Sequence, residues 1–202
     1  MFVARDFEEE LEHLLMVLKT RQSLGERIGI LMPERWQAEK LPQLCAEHGL
    51  KVEGPPSRYP GRVPDYPVYD FGSDRPKAMT YHSAKGLTFD TVFLPRLTNR
   101  HFRGALAEKM NELLFVGITR ARHWLYLSTT HSDMIPPIRS LYHQIQADPT
   151  NFDLTVKHGR YERQGNLFAC ISKNDSRNRA MPLKRDHENE EQTRHTVYAD
   201  MF

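Results

Sequence analysis

Cysteine is scarce: Cys45 and Cys170 are the only two in 202 residues. They form no C-x-x-C, and none of the ten histidines stands at a zinc-type spacing from them. A disulfide scaffold and a zinc ribbon are therefore excluded, and both thiols read as reduced cysteines of a cytosolic protein. No run of about 18 apolar residues occurs, so no membrane-spanning helix is expected. Residues 1–10 are acidic and lack the basic-then-apolar order of a signal peptide, which makes the cytoplasm the expected location. An excess of one charge sign is missing too. With 28 basic and 26 acidic residues the formal net charge is +2, so any phosphate binding must come from local patches rather than from an overall field. Also absent is G-x-x-x-x-G-K-[ST], the loop whose backbone cradles nucleotide phosphates, and no Asp-Glu pair follows a plausible strand as a metal-holding element. The length fits one ordinary domain with room for a tail.

Several segments carry clear local patterns. Phe7, Leu11, Leu14, Leu15 and Leu18 recur at helical spacing behind an Asp6…Glu9 capping box, which predicts a helix over 6–20. The apolar run 27–32 reads as a buried strand ended by Pro33. A helix over 33–48 follows, with Pro33 in its first turn, Gly49 at its left-handed exit, and Pro42 as a kink or break. Residues 50–53 suit a second strand. Five prolines and two glycines make 54–67 a loop. Strands are expected at 77–82, 91–94 and 123–128, a basic loop at 96–104, a helix over 105–122 and a last helix over 138–147. This alternation predicts a parallel α/β sheet. From residue 172 onward almost every residue is polar or charged, a composition expected to stay a flexible tail.

Two motifs stand out. The first is Thr80-Tyr-His82-Ser-Ala-Lys85-Gly86-Leu-Thr88-Phe-Asp90 and the second is Gly117-Ile-Thr119-Arg120-Ala-Arg122. The first runs off a strand end into a turn, the place where open α/β sheets bind ligands. Thr80, His82 and Lys85 there can donate to phosphates, and Gly86 lets backbone approach an anion. A polar strand-to-helix turn would look the same. In the second, Arg120 and Arg122 are read as lying late in a helix on different faces, and Gly117 serves close packing or a ligand. Two solvated arginines at a helix end would also fit. Arg96, Arg100, His101 and Arg103 form the best basic patch, suited to a nucleic-acid backbone or to a solvated loop. Trp36, Tyr59, Tyr66, Tyr69, Trp124 and Tyr126 can stack bases or fill a core.

Residues 77–95 resemble motif V and the following strand of superfamily one DNA helicases of the UvrD/PcrA/Rep type. Residues 111–122 resemble their motif VI, and 27–41 more loosely their motif IV. The resemblance covers roughly residues 5–130 and implies the second, RecA-like motor domain over 1–150, with a peripheral extension at 151–171 and the tail at 172–202. It implies that Arg120 reaches the γ-phosphate of ATP held on the first motor domain. Lys85, Gly86, Thr88 and Gly117 then lie by the nucleotide, and Thr80 and His82 line a single-stranded DNA track; the basic patch read above adds Arg96 and Arg103 as candidate nucleic-acid contacts. Mg²⁺ accompanies the nucleotide and is not bound by this chain alone. Two positions depart from the family: Thr88 stands where a ribose-contacting Glu is usual, and Glu39 where an ATP-approaching Arg is usual, with Arg35 one turn earlier as the substitute. Only about forty residues separate the motif IV region from Thr80, which leaves no room for the accessory domain that UvrD and Rep insert there. The Walker-bearing first motor domain is thus expected from another polypeptide or from a longer protein, and the isolated chain is expected to hydrolyse no ATP. The alternative is a non-enzymatic nucleic-acid-binding or protein-interaction module derived from such a motor half.

Overall fold

The computed structural model describes residues 1–58, 61–148 and the two-residue strand at 157–158. The chain order is β1 (Phe2–Ala4), α1 (Phe7–Ser23), β2 (Ile28–Met32), α2 (Arg35–Glu47), β3 (Lys77–Thr80), β4 (Phe89–Leu94), α3 (Ala105–Glu108), α4 (Met110–Ile118), β5 (Ala121–Thr130), α5 (Pro136–Ala147) and β6 (Lys157–His158). The strands form one parallel sheet in the order β3-β2-β4-β5-β1-β6. Parallel strands bury both faces, and β2 accordingly reads as an unbroken apolar run, buried at every residue. One core cluster holds Leu14, Leu18, Ala38, Leu41 and Cys45 from α1 and α2. A second holds Tyr81, Met110, Leu113, Leu114, Ile138 and Ile145 from the α4 and α5 side. The α/β RecA-like expectation is met. Among the described residues no helix is long and apolar enough to cross a membrane.

Local signals placed most elements well. The Asp6 carboxylate accepts the Glu9 N–H at 3.0 Å, and the Glu9 carboxylate reaches back to the Arg5 N–H at 2.8 Å, fixing the start of α1. Gly49 takes φ 74° just past α2, as a helix exit requires. Four expectations are corrected. Pro33 precedes the helix, whose N-cap is Glu34, and Pro42 sits inside α2 without splitting it. The strand at 50–53 reduces to a single bridge, Glu53 to Lys77. The helix over 105–122 is two pieces parted at Lys109, and it ends at Ile118. Arg122 therefore lies on β5, because the chain after Thr119 is drawn into the sheet by the Phe89 N–H bond to the Arg120 carbonyl at 2.9 Å. Strand β1 carries no sequence signal: three apolar residues are too short to show a period, and only pairing with β5 makes them a strand. The expected extension at 151–171 and tail at 172–202 lie outside the described residues, β6 apart.

Candidate motor-domain site

Strand β3 ends at Thr80, level with Met32 of β2, on the carboxyl edge of the sheet. The chain then turns through 81–86. The Thr80 hydroxyl accepts the Ser83 N–H at 3.1 Å and lies 2.9 Å from the Ser83 hydroxyl, so it closes the turn. His82, Ser83 and Lys85 are exposed, whereas Tyr81 turns inward and is fully buried. Its hydroxyl has no hydrogen-bond partner among the described residues, and burial pushes the phenol well above its ordinary range. Gly86 takes φ 83° with open space around it, a conformation that side chains rarely adopt.

From Gly86 the chain crosses to the opposite, amino edge and enters β4. Thr88 is exposed there. Arg120, in the turn between α4 and β5, meets the same segment. Its Nη1 donates to the Leu87 carbonyl at 3.2 Å, its Nε to the Val116 carbonyl at 3.2 Å, and its Nη2 to the Thr119 hydroxyl at 3.2 Å. These acceptors are uncharged, and no carboxylate pairs with Arg120 among the described residues. The two motifs thus meet at the amino edge, whereas Thr80 and His82 stay at the carboxyl edge, one strand length away. The single carboxyl-edge site expected for the first motif is therefore split. Arg122 is exposed at an irregularity of β5: Phe89 pairs with Ala121 but Thr91 pairs with Trp124, which leaves an extra residue on β5.

Gly117 is corrected from a nucleotide-side residue to a packing residue. A Cβ there would stand 2.7 Å from Tyr81 Cε1 and 2.9 Å from Leu94 Cδ2, both in the core. Arg96 is corrected as well. It is buried, with φ 62°, and its Nη1 donates to Glu10 Oε2 at 3.3 Å while its backbone N–H donates to Glu10 Oε1 at 2.9 Å. Its Nε donates to His101 Nε2 at 3.0 Å, and the guanidinium lies 4.1 Å over the Phe7 ring. Ser128 donates to the same Glu10 carboxylate at 2.7 Å. A guanidinium so enclosed cannot reach a phosphate backbone. His101 is buried with it, held down to about 4 by burial first and then by the Arg96 charge. Arg100 and Arg103 remain exposed on the loop that this network anchors. The signal missed in sequence was Glu10, a carboxylate on the otherwise apolar face of α1.

Arg35 does not stand free. Its Nε donates to Glu39 Oε1 at 2.8 Å, its Nη2 to the Pro56 carbonyl, and Arg58 approaches the same carboxylate at 3.7 Å. Arg35, expected to substitute for an arginine at the position of Glu39, is thus paired with Glu39 itself.

The chain is similar to known proteins in sequence over one segment and in fold. Residues 72–132 match the UvrD-like helicase C-terminal domain. The match takes in both motifs and bears out the resemblance read from them. Among solved structures, the C-terminal domain of a possible DNA helicase from Lactobacillus plantarum WCFS1 shares the fold, with a TM-score of 0.51 and 20% identity over 67% of this chain and 74% of that one. No curated protein matches the chain. The family match shows a UvrD-like C-terminal segment at 72–132, and the structural likeness shows the fold.

Proposed function

We propose that this chain is the second motor domain of an ATP-dependent, UvrD-like DNA helicase, completing an ATP site on a Walker-bearing first domain and forming half of a single-stranded DNA track. The observation that carries this reading is the setting of Arg120. Its charge is held by two carbonyls and a hydroxyl, with no carboxylate pairing with it among the described residues, at the edge where Leu87 and Thr88 also lie. A guanidinium fixed in this way is poised for an anion that arrives from outside, and its stabilising effect is greatest where charge develops on the γ-phosphate. Mg²⁺ would travel with the nucleotide, held by the partner domain. The track half rests on the exposed His82 and Ser83 at the carboxyl edge, with Arg103 beyond them.

The test is ATP turnover by the chain together with its Walker-bearing partner. Arg120→Ala should lower kcat by about 10²-fold or more, while partner binding persists. Arg122→Ala should change little, since its side chain is exposed on β5. Equal turnover without the Arg120 guanidinium would remove the basis of the reading.

A second reading, a nucleic-acid-binding or protein-interaction module without motor activity, draws on the Arg35–Glu39 pair and on Thr88. Paired in this way, Arg35 is not available as a second cation for a nucleotide. An intact partner complex that binds single strands but never turns over ATP would favour it.

A further inference from the structure

We propose that Tyr81 is a positioning residue for Arg120, acting through helix α4, an inference that rests on the motor reading above. Between the strand end at Thr80 and the exposed His82, Tyr81 turns into the core and is fully buried. Gly117 of α4 lies against its ring so closely that a Cβ at 117 would stand 2.7 Å from Tyr81 Cε1. Phe102, from the loop that carries Arg103, meets the ring edge-on at 6.2 Å. Helix α4 ends one residue after the glycine contact, at Ile118, and Arg120 stands in the turn that follows. The carbonyl next to that contact, Val116, accepts from the Arg120 Nε at 3.2 Å. No side chain at 117 cushions the ring, so a displacement of Tyr81 passes directly to the α4 backbone that holds Arg120.

The hydroxyl is the unusual part. Among the described residues it has no hydrogen-bond partner. Buried polar groups are almost always paired, and a phenylalanine would fill the same space without the cost of an orphaned hydroxyl. Packing alone therefore does not account for a tyrosine here. An arrangement in which the hydroxyl meets an acceptor relieves that cost, and reaching it means moving the ring against Gly117. The orphaned hydroxyl thus biases α4 away from its resting seat, and the γ-phosphate supplies the pull on Arg120 that completes the movement. A bias of this kind corresponds to about fivefold or more in the population of the displaced arrangement.

The experiment compares Tyr81→Phe with the wild type, as the free chain in thermal melts and as the complex with its Walker-bearing partner in ATP turnover. In the free chain Tyr81→Phe should raise Tm by about 2 °C or more, because the orphaned hydroxyl is gone. In the complex it should lower kcat about fivefold or more with KM for ATP unchanged, because Arg120 acts on charge that develops in the transition state. A more stable but slower variant is not what a purely structural role produces. Tyr81→Phe combined with Arg120→Ala should turn over no slower than Arg120→Ala alone, since one residue acts through the other. An unchanged or lowered Tm overturns the proposal by showing that the hydroxyl has a partner in the resting state. Unchanged kcat, a loss confined to KM, or additive losses in the double variant overturn it too, and the motor reading then stands as long as Arg120→Ala alone is slow. No turnover by the wild-type complex, or equal turnover by Arg120→Ala, overturns both together.

Discussion

Gly117→Ala is a sharp perturbation, because two effects of known size oppose each other at one atom. In an exposed helix the change would stabilise by about 1 kcal/mol, since alanine loses less backbone freedom on folding. At position 117 the new methyl meets Tyr81 Cε1 at 2.7 Å and the two Leu94 methyls at 2.9 and 3.1 Å. Carbon atoms rest at about 3.5–4.0 Å, so the overlap is close to a full ångström. Neither neighbour can yield cheaply. Tyr81 and Leu94 are both fully buried, and the Tyr81 ring is braced edge-on by Phe102 at 6.2 Å. Overpacking of this kind costs about 1–3 kcal/mol, so against the gain of about 1 kcal/mol the net expectation is a loss of up to about 2 kcal/mol, or up to roughly 8 °C in Tm. Urea and thermal melts of the single variant measure it. The same substitution made in a Tyr81→Leu background, where Cε1 is absent, should recover most of the loss, giving a coupling energy near 1 kcal/mol in a double-mutant cycle. A neutral or stabilising Gly117→Ala with no coupling to Tyr81 would refute the packing argument and return Gly117 to the list of positions kept small for a ligand.

Two further outcomes are expected from the buried network. Arg96→Ala leaves the Glu10 carboxylate buried without its guanidinium and should cost about 3 kcal/mol, whereas Arg103→Ala should leave stability within about 0.5 kcal/mol and act only on oligonucleotide binding and its salt slope; melts and salt titrations of both variants check this. His101 has a folded pKa near 4 against about 6.5 unfolded, so the unfolded chain binds the extra proton between those values; stability from this group is complete above pH 6.5 and declines as pH falls towards 4, by roughly 3 kcal/mol in all. Urea melts at pH 4.5 and pH 7 should show a smaller difference in His101→Gln than in the wild type, and an unchanged difference would contradict the buried neutral imidazole.

What the sequence by itself determined is what rests on short-range rules. The α1 stripe and its Asp6 cap, the apolar β2 run, the Gly49 exit and the α/β alternation all follow from periodicity and capping within a turn or two. The two motifs are legible for the same reason: each is a compact string, and the family match falls on the stretch that contains both. Tertiary structure decided everything that depends on what a side chain meets from elsewhere. Arg96 and Arg103 look alike in a basic loop, yet Glu10, 86 positions away, draws one into the core and leaves the other in solvent. Gly117 reads equally as a ligand-side or a packing glycine until Tyr81 is found against it. Arg122 continues a good helix pattern, but pairing with β4 outweighs that weak local preference and turns it onto a strand. The separation of His82 from Thr88 within the first motif is likewise a property of the crossover, because a chain that spans a sheet from edge to edge places neighbours in one motif at opposite edges.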